Sequence, residues 1–135
     1  MFALALAVAP AVLAACATSA TVSDAPVALG TMREFAAPYS EVSAAALEAV
    51  ERLNVDVQGS DETPERFQVR FSKPISGFSW GEVGVVNVVR VDEQRTRVYV
   101  NTARRHQGQV SGTSERQFSE QIFTNVSESI ARLQP

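Results

Sequence analysis

The chain has 135 residues, 45% of them apolar and 20% charged, with a formal net charge of −3. That length gives one domain, and the acidic balance gives no reason to expect a nucleic-acid partner. A single Cys excludes an intrachain disulfide, and a single His excludes His-rich metal sites.

Residues 2–15 read FALALAVAPAVLAA, with no charge and no polar face. The run is too short to span a bilayer, which needs about 20 apolar residues. It fits the apolar region of an export signal ending in small residues. At its end, Leu13-Ala14-Ala15-Cys16 resembles the lipobox of bacterial lipoproteins: an apolar residue, two small ones, then Cys. The resemblance implies cleavage before Cys16 and a diacylglyceryl group on its thiol, usually with a further acyl chain on the new amine. One acyl chain holds a membrane only marginally, at about 0.8 kcal/mol per buried CH₂, so two or three chains are what anchors such a protein. Ala17 stands where inner-membrane lipoproteins commonly carry Asp. By the same resemblance the expected location is the outer membrane, facing the periplasm. The sequence departs from the export pattern in one respect: Phe2 comes directly after Met1, with no Lys or Arg.

Residues 16–28, the Cys and then small, polar and Pro-containing positions, suit a flexible tether, and residues 29–135 form the single folded domain. Residues 30–35 offer a short strand. After Pro38 the spacing predicts a helix with Ser40 as its N-cap and Glu41 in the first turn. Val42, Ala46, Ala49, Val50 and Leu53 fall on one stripe, with Glu41, Glu48, Glu51 and Arg52 opposite.

The period then changes to two. Val55 and Val57 alternate with Asp56 and Gln58; Phe67, Val69 and Phe71 with Gln68, Arg70 and Ser72; Val98 and Val100 with Arg97, Tyr99 and Asn101. Such patterns predict strands with one wet face. Residues 83–91 (VGVVNVVRV) are apolar on both faces and read as a central strand. Asp61-Glu62-Thr63-Pro64 and Asp92-Glu93-Gln94 read as turns. A second helix is predicted from Ser114, which forms a capping box with Gln117, and carries a stripe of Phe118, Ile122, Val126, Ile130 and Leu133.

The expected fold is therefore α+β, in the order β-α-β-β-β-β-α. It is a two-layer sandwich in which an antiparallel meander of four to five strands carries both helices on one face. The run Glu34-Phe35-Ala36-Ala37-Pro38-Tyr39 entering a helix that ends at Arg52-Leu53 resembles the opening of small bacterial lipoprotein families of unknown function. The pattern is also distantly similar to helix-grip domains, including those of the lipoprotein subunit of the outer-membrane β-barrel assembly machine. That resemblance brings no catalytic residue onto this chain.

Two segments invite contact with a partner. Residues 73–82 (KPISGFSWGE) interleave Phe78 and Trp80 with Ser and Gly; such aromatics either meet a partner or fold back over the open end of the core. Arg104 and Arg105, beside His106 and with Arg95 and Arg97 nearby in sequence, either meet phosphate headgroups or an acidic partner, or form a solvated loop. No nucleophile, paired-acid, calcium-loop or phosphate-loop pattern is present. The expectation is a non-catalytic interaction or assembly module without a cofactor, joined to a membrane through Cys16 and to an envelope protein through Phe78, Trp80, Arg104 and Arg105. The alternative is a small-ligand carrier of helix-grip type.

Phe67, Phe71, Phe118 and Ile122 belong to the expected core, where one such side chain contributes about 1.5–3 kcal/mol. Phe118→Asp should abolish cooperative thermal unfolding; a melting curve like that of the parent would refute the assignment.

Overall fold

A computed structural model of the chain describes residues 27, 30–73, 82–104 and 115–133. The elements run β1 (Thr31–Phe35), α1 (Tyr39–Glu51), β2 (Asp56–Glu62), β3 (Arg66–Lys73), β4 (Glu82–Arg90), β5 (Thr96–Arg104) and α2 (Glu115–Leu133). The five strands form one antiparallel sheet in the spatial order β1-β5-β4-β3-β2. Strands β2 to β5 are a meander of successive neighbours, as their short links favour. Strand β1 joins at the far edge, against β5, so α1 carries the chain across the sheet from one edge to the other. Both helices lie on the same face, and the fold is the α+β sandwich expected.

Helix α1 begins two residues earlier than its polar sequence suggests. Pro38, not Ser40, is the N-cap; its backbone is extended and no side chain caps the helix. Val42 N–H donates to Pro38 O at 3.1 Å to close the first turn. The reason is Tyr39, whose ring is 5% exposed and lies beneath Arg90, 4.8 Å from guanidinium carbon to ring centroid. The Tyr39 hydroxyl donates to Thr63 O at 3.0 Å. Burial, the larger effect, raises its pKa.

Helix α2 buries Phe118, Ile122, Val126 and Ile130 as its spacing predicts, and Phe123 as well, whereas Leu133 is 51% exposed. The buried face is wide because α2 packs on the sheet and on α1 together. Arg132 pairs with Glu48, Arg52 with Glu128 at 3.0 Å, and Asn125 Nδ2 donates to Ala49 O at 3.3 Å, so the two helices run in opposite directions. Ser114, expected as the helix cap, lies outside the described residues.

Strand β2 extends through Asp61 and Glu62, expected in a turn; the turn is Thr63 to Arg66, closed by Thr63 N–H to Arg66 O at 2.8 Å. As an edge strand β2 has little to bury, and Val57 is 39% exposed. The face of β3 expected to be wet is largely buried, whereas β5 keeps the expected alternation, with Arg97, Tyr99 and Asn101 half-buried between buried Thr96, Val98 and Val100. Away from the helices, Gln68, Ser72 and Asn87 are buried, and Gln68 Nε2 donates to Asn87 Oδ1 at 3.0 Å. Val83 and Val85 on that side form a second small cluster with Ala103.

The centre of the main core is a three-layer contact. Phe71 pairs across the ladder with Gly84. Its ring lies so close over that glycine that an added Cβ would meet three ring carbons at 2.3, 2.7 and 2.9 Å. The ring's other neighbour is Phe118, stacked with centroids 5.5 Å apart and planes 8° apart. Gly84→Ala should therefore cost about 1–3 kcal/mol by overpacking. In denaturant unfolding, Phe71→Leu combined with it should recover part of that loss, a non-additive pair. Strict additivity would show that the ring does not occupy this slot.

Candidate functional site

The antiparallel register gives the sheet two unlike ends. At one end the connections are short turns: residues 36–38, 63–65 and 91–95. Asp92 Oδ1 accepts Gln94 N–H at 2.8 Å and Oδ2 accepts Arg95 Nε–H at 2.7 Å, which realises the expected turn. These two bonds, the backbone one first, hold the Asp92 carboxyl below the usual carboxylate range.

The other end gathers four passages of the chain. Lys73, Glu82 and Arg104 stand side by side in register, so the β3–β4 and β5–α2 connections both depart there. The N-terminal part of the chain enters there too, with Thr31 opposite Val100. Gly30 makes that entry feasible: a Cβ on it would lie 2.8 Å from Val100 O. Residues 53–55 bring α1 down to the same end, where Asp56 pairs with Ser72.

Among the residues singled out from sequence, Arg104 closes β5. Phe78 and Trp80 belong to the β3–β4 connection and Arg105 comes directly after β5; these three and Cys16 lie outside the described residues. Arg95 and Arg97 do not join Arg104. Seven residues of strand, roughly 23 Å at about 3.3 Å each, separate Arg97 from Arg104. Their charges are met locally: Arg95 by Asp92 and Glu34, at 2.7 and 4.0 Å, and Arg97 by Glu34 at 3.5 Å.

A cavity of about 180 Å³ opens at this same end, lined by Leu53, Asn54, Val55, Lys73, Phe118 and Gln121. Leu53 and Phe118 are its buried floor, Val55 and Lys73 are half-buried, and Asn54 and Gln121 are exposed on the rim. The Lys73 ammonium sits 5.9 Å from the Phe118 ring centroid, within reach of a cation–π contact. Motif and charge patterns did not single out these residues, although a signal was present. Lys73 has the same parity as the buried Phe67, Val69 and Phe71, a cation on the apolar side of a strand.

A second hollow of about 290 Å³ lies between the β1–α1 corner and α2, lined by Phe35, Ala36, Ala37, Ser127, Ile130 and Ala131. Between these two hollows the space under α2 is filled by Ile122, Phe123 and Val126, each at most 1% exposed. Among the described residues no three His, Cys, Asp or Glu side chains are placed to hold a metal ion. No described helix is long and apolar enough to cross a membrane. Neither a family model nor a curated protein matches the sequence.

The Asp92 turn carries a pH signature. A carboxyl whose folded pKa is depressed adds stability above its unfolded value of about 3.9 and loses it as the pH falls through the lowered folded value. The Gln94 amide resonance should therefore titrate with a midpoint below that of an ordinary aspartate, and Asp92→Asn should remove that titration. A midpoint at the ordinary value would mean that the turn bonds are absent in solution.

Proposed function

We propose that this chain is an envelope lipoprotein, anchored through acyl chains on Cys16, whose α+β domain serves as a non-catalytic interaction or assembly module. The observation that carries this reading is topological. The chain enters β1 at the same end of the sheet from which the Phe78–Trp80 and Arg104–Arg105 segments depart. Cys16 precedes Gly30 by 14 residues (30 − 16), a contour of at most roughly 46–50 Å. A lipid on that Cys keeps this end of the domain within reach of headgroups and of neighbouring envelope proteins. A basic residue close to an anionic surface contributes about 1 kcal/mol, which orients a domain without anchoring it. The acyl chains supply the anchor.

The filled core supports a module over the helix-grip carrier. A carrier needs an apolar chamber between C-terminal helix and sheet, and in this protein Ile122, Phe123, Val126, Val98 and Val100 occupy that space. Ala17 favours the outer membrane, facing the periplasm. Partner contact is assigned to Phe78, Trp80, Arg104 and Arg105.

Mass spectrometry of the protein purified from membranes should find Cys16 as the first residue, carrying a diacylglyceryl mass. Cys16→Ser should move the protein to the soluble fraction with its melting curve unchanged. Retention of residues 1–15 on an unacylated, water-soluble native protein would overturn the proposal.

A further inference from the structure

Strand β2 is the outer strand of the sheet on the β3 side, and no described strand lies along its second edge. Six of its seven residues are exposed, whereas five of the eight in β3 are buried. An open edge of this kind presents backbone N–H and C=O groups that can pair with one more strand. The two sides of the edge differ. Asp56 and Asp61 stand on the side away from the helices, opposite Ser72 and Gln68 of β3. Val57 stands on the helix side, opposite Phe71, and is 39% exposed. Glu48, Ala49 and Arg52 of α1 meet α2, so half-buried Leu47 projects from the other flank of α1, toward β2. The strand carries three acids and no base. Among the described residues Asp61 pairs with Arg70, while Asp56 and Glu62 make no ion pair.

We propose that the outer edge of β2 receives an extended cationic segment of another protein as a sixth strand of the sheet. Main-chain hydrogen bonds along the edge supply the contact, and alternate side chains sort the partner. Its Lys or Arg residues lie beside Asp56 and Asp61, and its β-branched residues lie against Val57 and Leu47. The same charges disfavour a second copy of this chain. Two β2 edges paired antiparallel about Gly59 would set Asp56 opposite Glu62 at both ends, and like charges directly opposite are destabilising. An acidic strand is rejected on the same ground. The bulge between Val57 and Gly59 breaks the alternation once, so the regular run is residues 59–62 and the added ladder is short. A short ladder binds reversibly, and charge decides which strand it accepts. The inference stands on the described edge; it is independent of the lipid anchor and of the contacts assigned to Phe78, Trp80, Arg104 and Arg105.

The test uses the full chain and three capped hexapeptides: alternating Lys-Val, alternating Glu-Val, and the Lys-Val peptide N-methylated at every residue. The last keeps the charge and removes the backbone donors. Each is titrated while the backbone amide resonances of Val57, Ser60, Asp61 and Glu62 are followed at several protein concentrations. Saturable shifts, with slowed amide exchange in residues 59–62, are expected with the unmethylated Lys-Val peptide alone. Asp56→Lys combined with Glu62→Lys changes two exposed side chains that hold no ion pair, so the melting curve should stay parental. Binding of the Lys-Val peptide should then weaken about tenfold or more, and the Glu-Val peptide should gain affinity. Should that variant fail to fold, salt carries the test: raising it from about 0.05 to about 0.5 M should weaken Lys-Val binding to the parent several-fold. Equal response to the Lys-Val and Glu-Val peptides, or to the methylated one, would overturn the inference. So would an absence of saturable shifts. Shifts of the same resonances with protein concentration, without any peptide, would assign the edge to a second copy and overturn it as well.

Discussion

The ring of Phe71 lies between the backbone of Gly84 and the ring of Phe118, and this contact joins the two layers of the molecule. A glycine opposite the ring lets it lie flat on the sheet. Its upper face is then free for α2, so the first turns of that helix are seated on β3 and not merely on α1. Offset aromatic pairs of this kind add about 0.5–1.5 kcal/mol beyond the area they bury. The second aromatic pair, Phe35 with Phe123 at 6.3 Å, seats the same helix on β1, at the opposite edge. Helix α2 is thereby fixed to both sides of the sheet, and α1 fills the space left on the β3–β4 side.

The passage of the chain from β1 to α1 is the second constraint. Buried Thr96 donates from its hydroxyl to Ala37 O at 2.9 Å, satisfying both groups at the corner where the chain leaves the sheet. Because α1 then crosses to the far edge, its C-terminal end arrives beside Lys73, and the N-terminal entry at Gly30 is left at the same end. The cavity, the entry of the chain at Gly30 and the two connections that carry Phe78, Trp80 and Arg105 share one end as a consequence of that crossing. Turns close the other end.

The interior itself offers little room. Among the described residues, valines from β4 and β5 pack in one cluster with Ile122, Phe123 and Val126, and the two hollows described above lie at the margins, where helix ends meet strand ends. Polar groups away from the helices are paired with each other, as Gln68 with Asn87 and Glu34 with Arg97 and Arg95, and contribute register and solubility.

The amino-acid sequence by itself determined the order of the elements, the strand and helix periods, and most of the main core. Those features are local, because apolar spacing of two or of three to four residues is written in neighbouring positions. It also placed Phe67, Phe71, Phe118 and Ile122 in the core and Asp92 in a turn. The edge position of β1, the burial of Gln68 and Asn87, the start of α1 at Tyr39 and the separation of Arg97 from Arg104 were decided by tertiary structure. Each depends on which distant segment lies alongside, and one strand's pattern does not carry that information. The cavity shows the same division. Lys73 broke the apolar parity of its strand in plain view, but Leu53 and Asn54 come from a helix end and Phe118 and Gln121 from a helix more than 40 residues further along the chain. Only the packing of α2 across Phe71 brings them together.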